Sequence, residues 1–245
     1  LPIKENWGAS IGVKPYSFTG YTITKYTVDD GDTTRQAVNE GSGGIRMATL
    51  GLAYCPLNLV KEVTVEVAKR DTAGNKLKKP LKGQRISRLS IGANGQYLFG
   101  TSQQIRSVEF IPSTSTIFNA RVIDGLRVSG LSYQFGVNYQ YGFQSLSMTK
   151  VFSVGATYTP ATEVRAFQDL YSFSYVGSFY RGQSVSVLDT VEFVQDNQGI
   201  INKPEAYSFG FEYRLSGVNS NSFLRIGADV KMEKWSDYYT GFSEV

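Results

Sequence analysis

Histidine is absent from this sequence of 245 residues, and the only cysteine is Cys55. Without histidine the chain can build neither a histidine-based catalytic triad nor a metal site with imidazole ligands. A single cysteine also excludes an intrachain disulfide framework. The residue types therefore predict no catalytic residues, no metal and no cofactor, and we expect that the protein is not an enzyme.

Long apolar runs are also missing from the sequence. Hydrophobic residues make up 41% of it, and its mean hydropathy is −0.20. No uninterrupted apolar stretch approaches the roughly 18 residues from which a transmembrane helix is predicted. This excludes membrane insertion by helices but not by strands, because alternation along a strand averages out in hydropathy. The formal net charge of +4 does not by itself indicate a nucleic-acid partner, and none is expected.

Aromatic residues and glycine are abundant, and their arrangement is most regular from Leu131 to Phe143. Every odd position of this stretch is apolar or aromatic, and every even position is Ser, Gln, Gly or Asn. Successive side chains of a strand point to opposite faces, so the pattern predicts one strand with an apolar face and a polar face. The stretch is long enough to cross a membrane, for which a tilted strand needs about 9–11 residues.

The same alternation recurs along the chain and predicts an all-β, antiparallel fold. The polar faces carry mainly Gly, Ser, Asn and Gln, whereas the exposed face of a soluble sandwich is usually rich in Lys, Glu and Thr. This favours a single transmembrane β-barrel domain over residues 1–245, with a polar interior, rather than a soluble β-sandwich. The predicted strands cover residues 6–14, 45–54, 86–99, 131–143, 149–159, 205–216 and 223–235.

The predicted connections differ in length. Pro15 and Pro56 are expected to end their strands, and Pro160 to end or kink the strand before it, because proline cannot donate to a ladder. Short periplasmic turns and long external loops are typical of outer-membrane barrels. The long excursions, with some strand-like pieces, are predicted at 15–44, 100–127 and 160–204, and the short turns at 144–148 and 217–222.

Together these segments resemble the FadL-type outer-membrane transport proteins, in the version found in Bacteroidetes. The resemblance implies an antiparallel barrel of about fourteen strands, plugged by an N-terminal hatch, of which this chain holds the whole or a part. Residues 1–6 are too short to supply that hatch. The segments that carry the resemblance are NWGASIGVKPYSFTGY (6–21), EGSGGIRMATLGLAY (40–54), LSIGANGQYLFG (89–100), FGVNYQYGF (135–143), FSVGATYTP (152–160), NKPEAYSFGFEY (202–213) and IGADVKMEKWSDY (226–238).

Charged residues of the last two predicted strands all fall on the polar face. A charge facing lipid near the membrane midplane would cost about 2–4 kcal/mol. The face that carries these charged residues is therefore predicted to point inward. Two interpretations remain open: these residues line a passage or bind a polar headgroup, or they form a paired network that braces the lumen. The candidates for lining the lumen are Glu212, Arg214, Arg225, Asp229, Lys231 and Glu233.

A basic insertion at 56–85 interrupts the pattern, and it is predicted to be periplasmic. Residues 61–85 hold eight Lys or Arg against three acidic residues. Lysines act as point charges toward phosphate, so the segment is a candidate for binding lipopolysaccharide phosphates or an acidic protein partner. The alternative is a solvated hairpin without a partner. The candidate binding residues are Lys76, Lys78, Lys79 and Lys82.

Two functions follow for a protein of the bacterial outer membrane. The resemblance implies passive uptake of long-chain fatty acids or other hydrophobic small molecules through the barrel. The alternative is a non-transporting barrel that serves as a structural or shuttle subunit of a secretion or surface-attachment complex. Membrane lipid, lipopolysaccharide and an outer-membrane or periplasmic protein are the expected partners. A ligand pocket with a hatch would favour uptake, and docking through the basic insertion would favour the subunit.

Overall fold

The computed structural model of the chain consists almost entirely of antiparallel β-strands, which confirms the predicted all-β fold. It describes the backbone of residues 2–4, 6–29, 32–70, 76–111, 117–145, 148–217 and 223–242. Side chains are described for residues 6–28, 34–64, 82–111, 117–145, 148–217 and 223–242. Helices with the length and apolarity that a membrane crossing demands do not occur in the residues described.

Twelve strands form one sheet, and a single 3₁₀ turn at Trp235–Asp237 is the only helical element in the described part of the chain. The strands are β1 (Pro2–Lys4), β2 (Trp7–Phe18), β3 (Tyr21–Asp29), β4 (Asp32–Arg70), β5 (Lys76–Phe110), β6 (Asn119–Ser145), β7 (Met148–Thr159), β8 (Thr162–Val176), β9 (Ser186–Lys203), β10 (Ala206–Gly217), β11 (Phe223–Glu233) and β12 (Tyr239–Phe242).

Several pairs of consecutive strands, such as β7 and β8, lie end to end in the sheet. Each such pair counts here as one path, and the chain forms seven long antiparallel paths in all. Strand β6 pairs with β7 through Phe135–Gln144 and with β8 through Asn119–Ser129, along the same edge. Strands β10 and β9 follow in line on the far side of β7 and β8. Pro160 separates β7 from β8, and Pro204 separates β9 from β10. The predicted break at Pro160 is therefore confirmed.

Two other prolines do not end their strands, contrary to prediction. Strand β2 continues to Phe18, with an irregular register between Pro15 and Ser17. Beyond its first two residues, β2 pairs only with β4 among the described strands, so an N–H group missing on its other side costs no ladder bond. Strand β4 passes Pro56 with an irregularity between Tyr54 and Leu57. In both places an irregular register accommodates the proline.

The predicted long excursions contain the expected strand-like pieces, but they are paired strand over most of their length rather than loops. Residues 15–44 contain the end of β2 and the β3–β4 hairpin, and 160–204 contain β8 and β9. Residues 100–127 contain the end of β5 and the start of β6. The upper extension is defined as β3, β8, β9 and β12 with residues 32–46, 99–110 and 119–130 of β4, β5 and β6. These polar strands pair with one another rather than forming loops.

Below the upper extension, seven strands lie in the order β2–β4–β5–β6–β7–β10–β11, and they form the lower sheet. This sheet is curled. Lys203 Nζ at the end of β9 lies 2.9 Å from Ser132 Oγ on β6, although β8 separates these two strands. The same ammonium group lies 6.0 Å from the centre of the Tyr16 ring on β2. No ladder joins β2 to β11 in the described residues, so the sheet is not closed, unlike the fourteen-stranded barrel that the FadL resemblance implied.

Two glycines on adjacent strands mark the boundary between the lower sheet and the upper extension. Gly43 on β4 has φ of 98°, and Gly100 on β5 has φ of 147°. A Cβ atom on Gly100 would collide with the carbonyl oxygen of Gly44, and one on Gly43 would collide with that of Thr101. Only glycine combines this backbone conformation with so close an approach of two strands.

Candidate functional site

The convex face of the lower sheet carries an apolar band without charged residues. Along β6 the band extends from Leu131 to Tyr141, and the register aligns apolar, aromatic or small residues of the other six strands with it. These side chains are largely exposed: Ile11 by 78%, Leu50 by 63%, Phe135 by 50% and Val230 by 60%. So large an apolar surface is typical of contact with lipid or protein rather than with water.

Charged residues border the apolar band where it ends. At its lower edge Lys61 and Arg85 face each other across the β4–β5 ladder, and Lys150 follows on β7, opposite Phe143. Arg46 lies just above the band on β4. The eleven residues from Leu131 to Tyr141 span about 33 Å along the strand at about 3.3 Å per residue. With the tilt of about 40° that is usual in barrels, the band is about 25 Å tall, as in outer-membrane barrels.

The opposite, concave face is polar and lines an open cavity of about 1200 Å³. Its lining includes Asn94, Gln134 and Asn138, which occupy the even positions predicted to face inward. Glycines at other even positions leave space between these side chains. The alternation seen in the sequence of β6 therefore separates the two faces of the curled sheet.

Glu212 joins the two facing arginines of the predicted lumen-lining set. Arg214 and Arg225 are directly opposite each other in the β10–β11 ladder. Arg214 donates to Glu212 Oε1 at 2.9 Å, and Arg225 donates to Glu212 Oε2. One carboxylate thus bridges two like charges that would otherwise repel each other across the ladder.

The other three predicted residues lie higher on β11. Lys231 Nζ is 2.5 Å from Glu233 Oε1. Asp229 faces Gly210 across the ladder and lines the cavity with Glu212, Arg214 and Arg225. All six candidates share the concave side, and five of them form ion pairs. The structure thus shows pairing within this set, but it does not test a passage or a bound headgroup.

The basic insertion is a continuation of the β4–β5 hairpin below the apolar band. The ladder runs without interruption from Leu57 opposite Leu89 to Arg70 opposite Lys76. Lys76, Lys78 and Lys82 have the same parity along β5, whereas Lys79 has the opposite parity. The side chain of Lys82 is exposed, and those of Lys76, Lys78 and Lys79 lie outside the described side chains. We call residues 61–85 the basic hairpin.

A group of polar residues near Lys203 is not predictable from the sequence. Lys203 comes from the end of β9, and Ser132, which accepts its hydrogen bond, is fully buried on β6. Lys14, Lys231 and Glu233 are close enough for their charges to act on Lys203. These residues belong to four strand paths that are distant in sequence, so no local pattern could have placed them together.

A buried carboxylate in the upper extension also escaped prediction. Glu109 on β5 has no exposed surface. Its oxygens accept hydrogen bonds from the Tyr175 hydroxyl at 2.9 Å, the Ser178 hydroxyl at 2.5 Å and the Phe179 backbone N–H at 2.9 Å. The Arg181 guanidinium lies 3.7 Å away. Burial, followed by the bond to Glu109, raises the pKa of the Tyr175 hydroxyl far above its ordinary value.

Among the described residues, no cluster of three or more Cys, Asp or Glu side chains could hold a metal ion. The site is therefore a polar, charge-paired concavity behind an apolar convex band. Together with the all-β fold, these features are typical of a protein of the cell envelope.

Comparison with known families identifies the group to which the chain belongs. The profile of the BamG family matches residues 71–245, which is well over half of the chain. The chain is therefore a member of the BamG family, which is related to the BAM complex. Searches of curated proteins and of solved structures return no match.

This membership corrects the resemblance drawn from the sequence. The chain belongs to the BamG family and not to the FadL type, and uptake of fatty acids or other hydrophobic compounds is not supported. The resembling segments were strands with alternating apolar and polar residues. Such alternation reports the environment of the two faces of a strand, which unrelated barrels share.

Proposed function

We propose that this protein is a non-transporting subunit of the machinery that assembles outer-membrane proteins. The observation that carries the proposal is the BamG family match across residues 71–245, because this family is linked to outer-membrane protein assembly. The proposal retains the subunit role weighed from the sequence and replaces secretion or surface attachment with assembly. It assigns no catalysis, and the expectation that the chain is not an enzyme stays a prediction.

The apolar band supports a place for this subunit in the outer membrane itself. Its height of about 25 Å agrees with the apolar belt of outer-membrane barrels. Exposed tyrosines lie at its upper and lower levels, for example Tyr133 and Tyr141, where aromatic side chains contact lipid headgroups. Lys61, Arg85 and Lys150 follow directly below, where cations can contact headgroup phosphates. In this arrangement the basic hairpin projects beyond the membrane on the side of the short turns, which is the periplasmic side in outer-membrane barrels.

The basic hairpin supports a docking role toward an acidic surface of a neighbouring subunit. It extends about ten residues below the band on each strand, or about 33 Å. Its excess of five positive charges favours a negatively charged partner, and the cross-strand pairing provides a rigid support for those charges. The partner in this proposal is a protein of the assembly machinery, and lipopolysaccharide phosphate is the competing occupant.

Affinity purification of the tagged, full-length protein from its own membranes in mild detergent tests the main proposal. Subunits of the assembly machinery should co-purify in fixed stoichiometry, and depletion of the protein should lower the amounts of other outer-membrane proteins. A protein that elutes alone, with normal amounts of outer-membrane proteins after its depletion, would contradict the proposal.

Charge reversal tests the docking role of the basic hairpin. Replacing Lys76, Lys78, Lys79 and Lys82 with Glu should reduce capture of the partner at least tenfold, because attraction becomes repulsion. Raising the salt concentration should weaken capture by the unaltered protein. The control variant carries Glu at four exposed basic positions of the upper extension or its border, Lys25, Arg35, Arg106 and Arg165. Equal loss of capture in both variants would show a general charge effect and remove this role.

A further inference from the structure

The residues around Lys203 form a second polar site, at the top of the concave face. Lys14 and Tyr16 come from β2, Lys203 from β9, and Lys231 with Glu233 from β11. The Lys203 ammonium group bonds Ser132 at 2.9 Å and lies 6.0 Å from the Tyr16 ring centre. The site thus lies where β2 and β11, the edge strands of the lower sheet, approach each other.

The charges of this site are not balanced. Three ammonium groups and one carboxylate give it a net charge of +2, and Glu233 already forms an ion pair with Lys231. Asp229, the next inward-facing residue of β11, lies one step lower, toward Glu212 and the two arginines. Like charges repel one another, and Lys203 among them is half-buried, so an anion bound between them would stabilise the arrangement.

An unsatisfied hydroxyl group lies at the same level. Thr162 is the register partner of Lys203 in the β8–β9 ladder. Its Oγ1 atom is buried and has no hydrogen-bond partner. Such orphaned polar atoms are rare in native proteins because leaving one unpaired costs free energy. A threonine hydroxyl on the residue opposite a lysine is a suitable donor to the oxygen of an anion.

From this geometry we infer a binding site for a phosphate group, formed by Lys14, Lys203 and Lys231 with the Thr162 hydroxyl. A phosphate or phosphomonoester carries a charge close to −2 at neutral pH, which complements the net +2 of the site. Lysine is a common phosphate ligand, and it acts as a point charge. The phosphate group can belong to a lipid headgroup that reaches the site between the two edge strands, or to a soluble molecule that enters the concavity.

Phosphorus NMR on the purified full-length protein in non-ionic detergent tests the inference without any partner protein. One arm titrates inorganic phosphate, and the other titrates a short-chain phosphatidate. Broadening of the phosphorus signal should report saturable binding to the unaltered protein. Saturation by inorganic phosphate alone indicates a soluble source, and saturation by phosphatidate at lower concentration indicates a lipid source.

Three variants connect the binding to the site. Lys203→Gln should weaken binding at least tenfold, and Thr162→Val should weaken it several-fold without loss of stability, because no hydrogen bond in the structure is broken. If Lys203→Gln fails to fold, the double variant Lys14→Gln/Lys231→Gln tests the same charges through side chains that are exposed. The control is Lys25→Gln, an exposed lysine on β3 in the upper extension.

Absence of saturable binding in both arms would overturn the inference. Equal affinity of the unaltered protein, Thr162→Val and the Lys14→Gln/Lys231→Gln double variant would overturn it as well. Neither outcome bears on membership in an assembly complex, because capture of partner proteins is measured separately.

Discussion

At the scale of the residue, Glu109 shows how a carboxylate is stabilised away from water. Three hydrogen bonds and a guanidinium group compensate for the lost hydration of its charge. Two of these donors lie in the connection between β8 and β9, at Ser178 and Phe179. The carboxylate therefore fixes this connection against β5, together with the contact between the Arg121 guanidinium and the Phe179 ring at 4.1 Å.

Replacing Tyr175 with Phe should loosen the connection between β8 and β9. The variant removes a hydrogen bond to a buried carboxylate, which costs about 1.5–3 kcal/mol. Hydrogen exchange of the Phe179 amide, which donates to Glu109, should accelerate accordingly. The control is Tyr171→Phe on the same strand, whose ring packs between Phe173 and Phe193. Unchanged exchange at Phe179 in Tyr175→Phe would show that this bond does not hold the connection.

The sequence alone predicted the inward position of residues such as Glu212 and Lys231, because parity along a strand is a local property. It could not predict Glu109 or Lys203 as centres of interaction. The Tyr175 hydroxyl that contacts Glu109 is 66 positions away, and Ser132 is 71 positions from Lys203. Such contacts depend on which strands become neighbours and on the curl of the sheet, and neither is encoded in the spacing of residues along one strand.

At the scale of the element, the prolines show why one strand end was predicted correctly and two others were not. Pro160 and Pro204 each fall between strands that continue one another, and the ladder resumes beyond them. Pro15 and Pro56 lie within strands, at irregular register positions. The effect of a proline depends on whether its N–H position faces a neighbouring strand. That information resides in the sheet order, which the sequence did not provide.

Replacing Gly100 with Ala should destabilise the protein by about 1–3 kcal/mol, because the new Cβ atom meets a backbone oxygen and φ is positive. Urea unfolding monitored by tryptophan fluorescence measures the change. Gly95→Ala on the same strand is the matched control, since its Cβ atom would meet only Leu50 O, at 3.9 Å. Equal stability of the two variants would show that β4 and β5 can separate at this point without cost.

At the scale of the whole molecule, the two faces of the lower sheet have opposite solvent preferences. The convex face carries no charged side chain within the apolar band, whereas the concave face of the same strands carries the charges of β10 and β11. A soluble sheet would bury its apolar side, and here that side is exposed. The distribution favours contact of the convex face with lipid.

Adjacent residues of β6 provide a direct test of this orientation. Val137→Lys places a charge on the convex face at mid-band and should cost about 2–4 kcal/mol in phospholipid vesicles. Asn138→Lys places the same charge on the concave face and should cost much less. Equilibrium urea unfolding in vesicles measures both variants. Equal costs would contradict a lipid-facing convex surface.

The ladder between β7 and β10 and the ladder between β8 and β9 have the same register, although Pro160 and Pro204 lie between them. Thr159 pairs with Ala206 just below the break, and Thr162 pairs with Lys203 just above it. The upper part can therefore be shortened or lengthened by matched pairs of residues in β8 and β9 without changing which side chains face outward below. For these two paths, β7 with β8 and β9 with β10, the number of residue pairs above the prolines is therefore independent of the alternation of apolar and polar side chains below them.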